Sequence, residues 1–201
     1  MSILTFPAIS RLPEAVDWSL MSNTQTFISP LNKTVQTVEM PGARWRFNFT
    51  IELMDEVDAA LYQAFLVRLR GSAGRFYMWN LGRPTPRGAA TGAPVVAGAS
   101  QTGTSLFTGG WTASTAGIML AGDYFSVNDE LKIVVQDAAS DSSGNATLVF
   151  EPPLRRSPDN ASAVTTLMPT AVFRMEADEA AWTTRAPILT DITLSAVEAF
   201  A

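Results

Sequence analysis

A strand pattern at residues 44–51 is the feature that most constrains what this chain can fold into. Every second residue there is large and apolar, which is the period of a strand that buries one of its two faces. The apolar members are Trp45, Phe47, Phe49 and Ile51. A second aromatic strand is predicted at residues 76–79. Side chains of this size need a core to cover them, and both strands are expected to contribute to it.

One helix is predicted between these two strands, from Asp55 as its N-cap to about Arg70. Aspartate is a favoured N-cap residue, and Glu56 in the first turn suits the helix dipole. Apolar residues recur at helical spacing and predict one buried face, formed by Val57, Ala60, Leu61, Ala64, Phe65 and Leu69. The helix is expected to pack on the sheet in a structural core of Trp45, Phe47, Phe49, Leu61, Phe65 and Phe76.

The other patterns are typical of short strands, so the predicted fold is mainly β with one α-helix. These strands are predicted at residues 16–21, 25–28, 34–38, 117–120, 124–127, 131–136, 146–151, 171–176 and 188–200. Turn residues lie between the strands predicted at 131–136 and 146–151, so these two strands are expected to pair as a hairpin.

A stretch rich in glycine and proline, residues 82–101, interrupts the strand patterns and indicates a domain boundary. A strand pattern returns after residue 168. Residues 1–83 and 169–201 are therefore expected to form one discontinuous β-sandwich domain that carries the helix. Residues 84–168 are expected to form a small β-sandwich or barrel module inserted into it.

Charged residues are scarce in this chain, at 16% against the roughly 25% of an ordinary soluble domain. The shortfall suggests that part of the surface is covered by other subunits. The alternative is a β-protein whose surface consists of threonine, serine and asparagine. The net charge of −5 disfavours a phosphate-binding face and therefore sequence-specific binding of nucleic acid.

The chain has no histidine and no cysteine, which removes the commonest general base and the commonest metal ligands. Lys33 and Lys132 are its two lysines, and neither has a serine at a motif spacing for a nucleophile. Helix capping explains the carboxylates near residue 55, and residues 141–145 lack the ligand pattern of a calcium loop. We therefore predict no catalytic, metal-binding or cofactor-binding residues, no cofactor and no enzyme activity. No apolar run reaches the roughly 18 residues that cross a bilayer, so no membrane insertion is expected.

Three residues of the inserted module are candidates for contact with a sugar or a protein partner. Trp111 and Tyr124 have aromatic faces that can stack on a sugar ring; the alternative is that they pack the core of the module. Arg155 can pair with an acidic neighbouring subunit; the alternative is a solvated side chain.

The pattern of residues 16–86 resembles the distal tail proteins, a minor tail protein family of long-tailed, lambda-like bacteriophages. The resemblance consists of Ser29-Pro30-Leu31, the aromatic strand at 45–50, the helix, and the run from Gly71 to Trp79 that ends near Pro84. It implies that the discontinuous domain builds a homo-oligomeric ring, usually of six copies, at the tail tip. Larger members of the family carry an extra β-domain outside the ring, which is where residues 84–168 are expected.

The same resemblance implies a structural virion protein that joins the tail tube to the tip hub, or baseplate, around the DNA channel. Its expected partners are the tail tube protein, the tip hub and other minor tail proteins, with DNA only in transit. Its expected location is the phage tail tip, after assembly in the cytoplasm of the bacterial host. The alternative function is that of a carbohydrate-binding, receptor-binding β-module of a phage tail.

Overall fold

The computed structural model describes residues 2–8 and 11–200; residues 1, 9, 10 and 201, all in the predicted first domain, lie outside the described part. The described chain is mainly β with a single α-helix, as the sequence predicts. No helix in these ranges is long and apolar enough to cross a bilayer. The elements are β1 (Leu4–Thr5), β2 (Val16–Met21), β3 (Thr24–Ile28), β4 (Val35–Glu39), β5 (Arg44–Met54), α1 (Glu56–Leu69), β6 (Phe76–Trp79), β7 (Gly92–Val96), β8 (Gly103–Trp111), β9 (Tyr124–Val127), β10 (Glu130–Gln136), β11 (Ala146–Leu154), β12 (Thr170–Met175), β13 (Thr183–Arg185) and β14 (Leu189–Glu198).

The first sheet combines strands from both ends of the chain. It has seven strands in the order β1-β6-β12-β14-β5-β2, with β13 paired to the start of β14. At its centre β14 runs antiparallel to β5, with Leu194 opposite Phe49. Strands before residue 84 and strands after residue 168 are thus hydrogen-bonded into one sheet, which is the arrangement that an insertion between them requires.

The core of the first sheet is aromatic. Trp45, Phe47, Phe49, Phe65 and Phe76 are all buried there, as predicted. Two of the contacts are edge to face: the centroids of Phe65 and Phe76 lie 5.4 Å apart at 88°, and those of Phe47 and Phe173 lie 5.0 Å apart, whereas Phe47 and Phe49 are stacked. Such pairs add to the apolar area that each ring buries, so these contacts fix helix α1 on the sheet.

Helix α1 begins and ends as predicted but turns a different face to the sheet. The carboxylate of Asp55 accepts a hydrogen bond from the backbone nitrogen of Asp58 at 2.9 Å, and Arg70 closes the helix in the left-handed conformation. The buried residues are Ala59, Tyr62, Phe65, Leu66 and Leu69.

The prediction of a buried Leu61 was wrong, because its side chain is 57% exposed. Apolar residues occupy almost every side of this helix, so their spacing did not single out one face. The face that is buried carries Tyr62 and Leu66 beside Phe65, and these side chains bury more apolar area than Val57, Ala60 and Ala64 would.

The second sheet is built wholly from the predicted insertion. Its five strands have the order β7-β8-β11-β10-β9, and the predicted hairpin is confirmed as β10 paired with β11. This sheet has a core of its own, in which the rings of Phe125 and Phe150 meet at 5.3 Å and 87°. That residues 84–168 are a separable module stays a prediction.

Two strands of the second sheet were missed in the sequence and one was misplaced. Strand β7 lies inside the glycine- and proline-rich stretch that predicted a domain boundary; it is an edge strand, where Pro94 costs no ladder hydrogen bond. In β8 the glycines at 109 and 110 break the alternation. Residues 117–120 form turns and a single bridge between Met119 and Ala138 rather than a strand.

Strands β3 and β4 pair with each other and form a separate two-stranded sheet. All residues of both strands are exposed. The register places Ile28 opposite Val35 on one face of this hairpin, while Phe27 and Val38 share the other face. The hairpin is therefore apolar on both faces, although two isolated strands are marginal in water.

Phe65 is buried, whereas Leu61, four residues earlier in helix α1, is exposed, and this difference gives a test of the core. Phe65→Ala is expected to lower the free energy of unfolding by about 3–5 kcal/mol, because it leaves a cavity among Phe6, Phe76 and the helix. The exposed Leu61→Ala serves as the control and should stay within about 0.5 kcal/mol of the parent. Urea unfolding followed by circular dichroism measures both; equal losses for the two variants would contradict the assigned face.

Candidate functional site

An open groove of about 700 Å³ lies between the two sheets. The first sheet's side of it is formed by residues 39–43, which join β4 to β5, together with Val172 and Phe200. The second sheet's side is formed by residues 128–130 and 152–156, at the turn after β9 and the end of β11. The volume is in the range of ordinary ligand pockets, so the groove is the leading candidate for a binding site.

Trp45, two residues after the groove-lining Ala43, joins the two sheets. Its indole nitrogen donates to the backbone oxygen of Leu131 at 2.8 Å, and its ring packs against Tyr124 with centroids 5.6 Å apart. Its backbone nitrogen donates to Oε2 of Glu198 at 3.0 Å. One residue of β5 thus contacts β9, β10 and β14.

A buried ion pair stands beside it on the second sheet. Nζ of Lys132 lies 2.8 Å from Oε2 of Glu130 and also donates to the backbone oxygen of Pro153 at 2.8 Å. The Glu130 carboxylate accepts hydrogen bonds from the backbone nitrogens of Arg155 and Arg156 as well. Burial lowers the pKa of Lys132, and the Glu130 carboxylate opposes that shift. The pair thereby holds the end of β11 against β10.

Glu198 and Phe200 both contact arginine side chains. Glu198 is buried and forms an ion pair with Arg155. The guanidinium carbon of Arg155 lies 4.1 Å from the ring centroid of Phe200, and that of Arg44 lies 4.6 Å from it. These are cation–π contacts, so the aromatic ring that lines the groove is fixed from both sheets.

Carboxylates give the groove a negative character. Glu39 and Asp129 line it, are exposed, and have no ion-pair partner within residues 2–8 and 11–200. Burial, followed by the nearby charge of Glu39, raises the pKa of Glu151. Arg156 supplies one exposed positive charge to the lining. Among the lining side chains without an ion-pair partner, two carboxylates therefore face one guanidinium.

The available groups suit recognition by shape and charge. Apolar surface from Met40, Pro153, Leu154 and Phe200 alternates with the unpaired carboxylates. Across the described ranges, no cluster of three or more His, Cys, Asp and Glu residues could hold a metal ion. The groove thus matches an apolar segment that carries a positive charge.

The structure places only one of the three predicted contact residues at this groove. Arg155 lines it, but pairs with Glu198 of its own chain. Trp111 is 5% exposed in the second core and donates from its indole to Oγ1 of Thr108 at 2.8 Å. Tyr124 is 9% exposed and packs on Trp45. Both aromatic residues therefore pack in a core, which was the alternative to sugar contact, and their covered faces are not available to a sugar.

Sequence reasoning missed several residues that shape the groove, namely Glu130, Lys132, Glu198 and Phe200. Glu130 and Lys132 lie on one face of a strand whose intervening residue, Leu131, is apolar. This alternation is that of a strand with one solvent-exposed face, so it gave no sign that the two charges are buried. No local signal marked Glu198, because its partners are more than 40 residues away in sequence.

Two comparisons with known proteins, by family model and by curated sequence, give no relative of this chain. No protein-family model matches it, and no curated protein sequence matches it. The resemblance to distal tail proteins therefore stays a prediction from the sequence pattern.

The buried pair of the second sheet gives a prediction about stability. Lys132→Met is expected to lower the free energy of unfolding by about 3–5 kcal/mol, because it leaves the Glu130 carboxylate buried without its cation. The double variant Lys132→Met with Glu130→Gln should recover part of this loss, since the uncompensated charge is gone. Urea unfolding of the single and double variants measures the coupling; strictly additive losses would contradict it.

Proposed function

We propose that this chain is a structural subunit of a phage tail tip. Copies of it would assemble into a ring, of six copies by the family resemblance, that joins the tail tube to the tip hub around the DNA channel. The observation that carries the proposal is the hairpin of β3 and β4, which is exposed and apolar on both faces. Its exposed apolar side chains are Phe27, Ile28, Leu31, Val35 and Val38.

Such a hairpin favours assembly because its apolar surface has no cover from its own chain. Scattered single apolar residues are normal on a protein surface, but a contiguous group of this kind marks an interaction site. Because both faces of the hairpin carry apolar side chains, the hairpin is better suited to insertion between neighbouring subunits than to contact with one flat surface.

Helix α1 supports the proposal with a second uncovered surface. Val57, Leu61 and Val67 point away from the sheet and are 71%, 57% and 59% exposed. The hairpin and the helix are different surfaces of one chain, and contacts between unlike surfaces produce closed rings when the rotation closes. The low charged fraction of 16% agrees with a surface that is partly covered in an assembly.

The net negative charge of the chain suits a protein that lines a channel through which DNA passes. A net charge of −5 opposes binding of phosphate, which would hinder passage through a channel. The expected partners remain the tail tube protein, the tip hub and other minor tail proteins in the virion. The alternative, a carbohydrate-binding module, has lost the aromatic faces of Trp111 and Tyr124 that favoured it.

The proposal predicts the mass of the purified protein. Light scattering after size exclusion is expected to give a closed multiple of the 21.6 kDa chain, with six copies as the expected number, and negative-stain images should show rings. Phe27→Asp should shift the protein to monomer without unfolding it, because it charges the exposed face of the hairpin. A parent protein that stays monomeric at its highest soluble concentration would overturn the proposal.

The matched control for that variant lies on the second sheet. Phe107 is also exposed, at 45% against 56% for Phe27, and it belongs to β8. Phe107→Asp makes the same chemical change and should leave the mass unchanged. Dissociation by both variants alike would show a general effect of added charge rather than a role of the hairpin.

A further inference from the structure

We infer that the tip of the β3–β4 hairpin of one copy occupies the groove between the two sheets of the next copy. Leu31 would enter the apolar part of that groove, and Lys33 would pair with its unpaired carboxylates. This inference rests on the proposed function, since the ring supplies the second copy.

The hairpin tip is a defined shape rather than a loose loop. The backbone nitrogen of Ser29 donates to the oxygen of Thr34 at 2.9 Å, and that of Lys33 donates to the oxygen of Ser29 at 3.0 Å. The side chain of Asn32 accepts from both the nitrogen and the hydroxyl of Thr34. A preorganised tip loses little conformational freedom on docking, which favours binding.

The tip presents an apolar side chain and a cation, which suit the apolar surface and the carboxylates of the groove. Leu31 is 95% exposed, and the cation of Lys33 follows two residues later. The groove offers apolar surface from Met40, Pro153 and Phe200.

Charge favours the same docking. Glu39 and Asp129 line the groove without an ion-pair partner in the described residues, although Asp129 accepts a hydrogen bond from the Tyr77 hydroxyl; the exposed guanidinium in the lining is that of Arg156. A lysine from outside would pair with these carboxylates.

The tip cannot reach the groove of its own copy. Glu39 at the base of the hairpin is itself part of the groove lining, whereas Leu31 lies beyond the opposite end of the strands. At about 3.4 Å per residue, the ladder from Glu39 to Val35 holds the tip roughly 14 Å or more away. Tip and groove therefore meet only between copies, which is a head-to-tail contact of the kind that builds rings.

Carbodiimide cross-linking tests this contact directly, because it joins an amine to a carboxylate only where the two touch. Lys33 is the one lysine that reagents can reach, since Lys132 is fully buried. Equal amounts of ¹⁵N-labelled and unlabelled protein are mixed, assembled, treated and digested. We expect mixed heavy–light peptides that join Lys33 to Asp129 or Glu39. Lys33→Arg keeps the charge but should abolish these peptides while the assembly persists.

A substitution at the tip gives the second measurement. Leu31→Asp should weaken association about tenfold or more, because a buried leucine is replaced by a charge near other carboxylates. Leu167→Asp is the control, since Leu167 is an exposed leucine outside both the hairpin and the groove lining, and it should leave association unchanged.

The outcomes separate this inference from the proposed function. Assembled protein whose Lys33 links only to carboxylates elsewhere, such as those at the start of helix α1, would overturn the docking and leave the ring standing. Assembly unaffected by Leu31→Asp would also overturn it. A chain that stays monomeric would overturn the ring and the docking together.

Discussion

Trp45 is the residue on which the arrangement of the two sheets depends. Its ring belongs to the aromatic core of the first sheet, yet its indole nitrogen donates to Leu131 of the second. Its backbone nitrogen donates to the buried Glu198, which also pairs with Arg155 from the end of β11. A buried polar group costs free energy unless it is hydrogen-bonded, so these partners favour one relative placement of the sheets. The groove is a consequence of that placement.

Periodicity in the sequence predicted what depends on local pattern. The alternation of large apolar residues placed Trp45, Phe47 and Phe49 in the core correctly, because a strand has only two faces. A helix can bury any of several faces, and α1 has apolar residues on almost all of them. Which face is buried was decided by the packing of Tyr62 and Leu66 on the sheet, which is a tertiary effect. The groove could not be predicted, because the ion pair of Arg155 with Glu198 and the contacts of Trp45 join residues far apart in sequence.

The hairpin and the groove are features that a single copy leaves unsatisfied. The hairpin carries apolar side chains on both faces, and the groove carries unpaired carboxylates beside apolar surface. The two are joined directly in the chain, since residue 39 ends β4 and begins the groove lining. In the proposed ring, a rigid contact between the sheets would relate the position of each hairpin to the groove of the same copy, and so fix the angle between successive copies.

Native-state hydrogen exchange tests most directly whether the two sheets act as one body. Amides of β5 and β14 in the first sheet and of β8 and β11 in the second should merge into one opening transition as urea is raised. In Trp45→Phe, which keeps an aromatic ring but removes the indole donor, the second sheet should open at a lower free energy than the first. Separate opening of the second sheet in the unmodified chain would contradict the claim that Trp45 and its partners couple them.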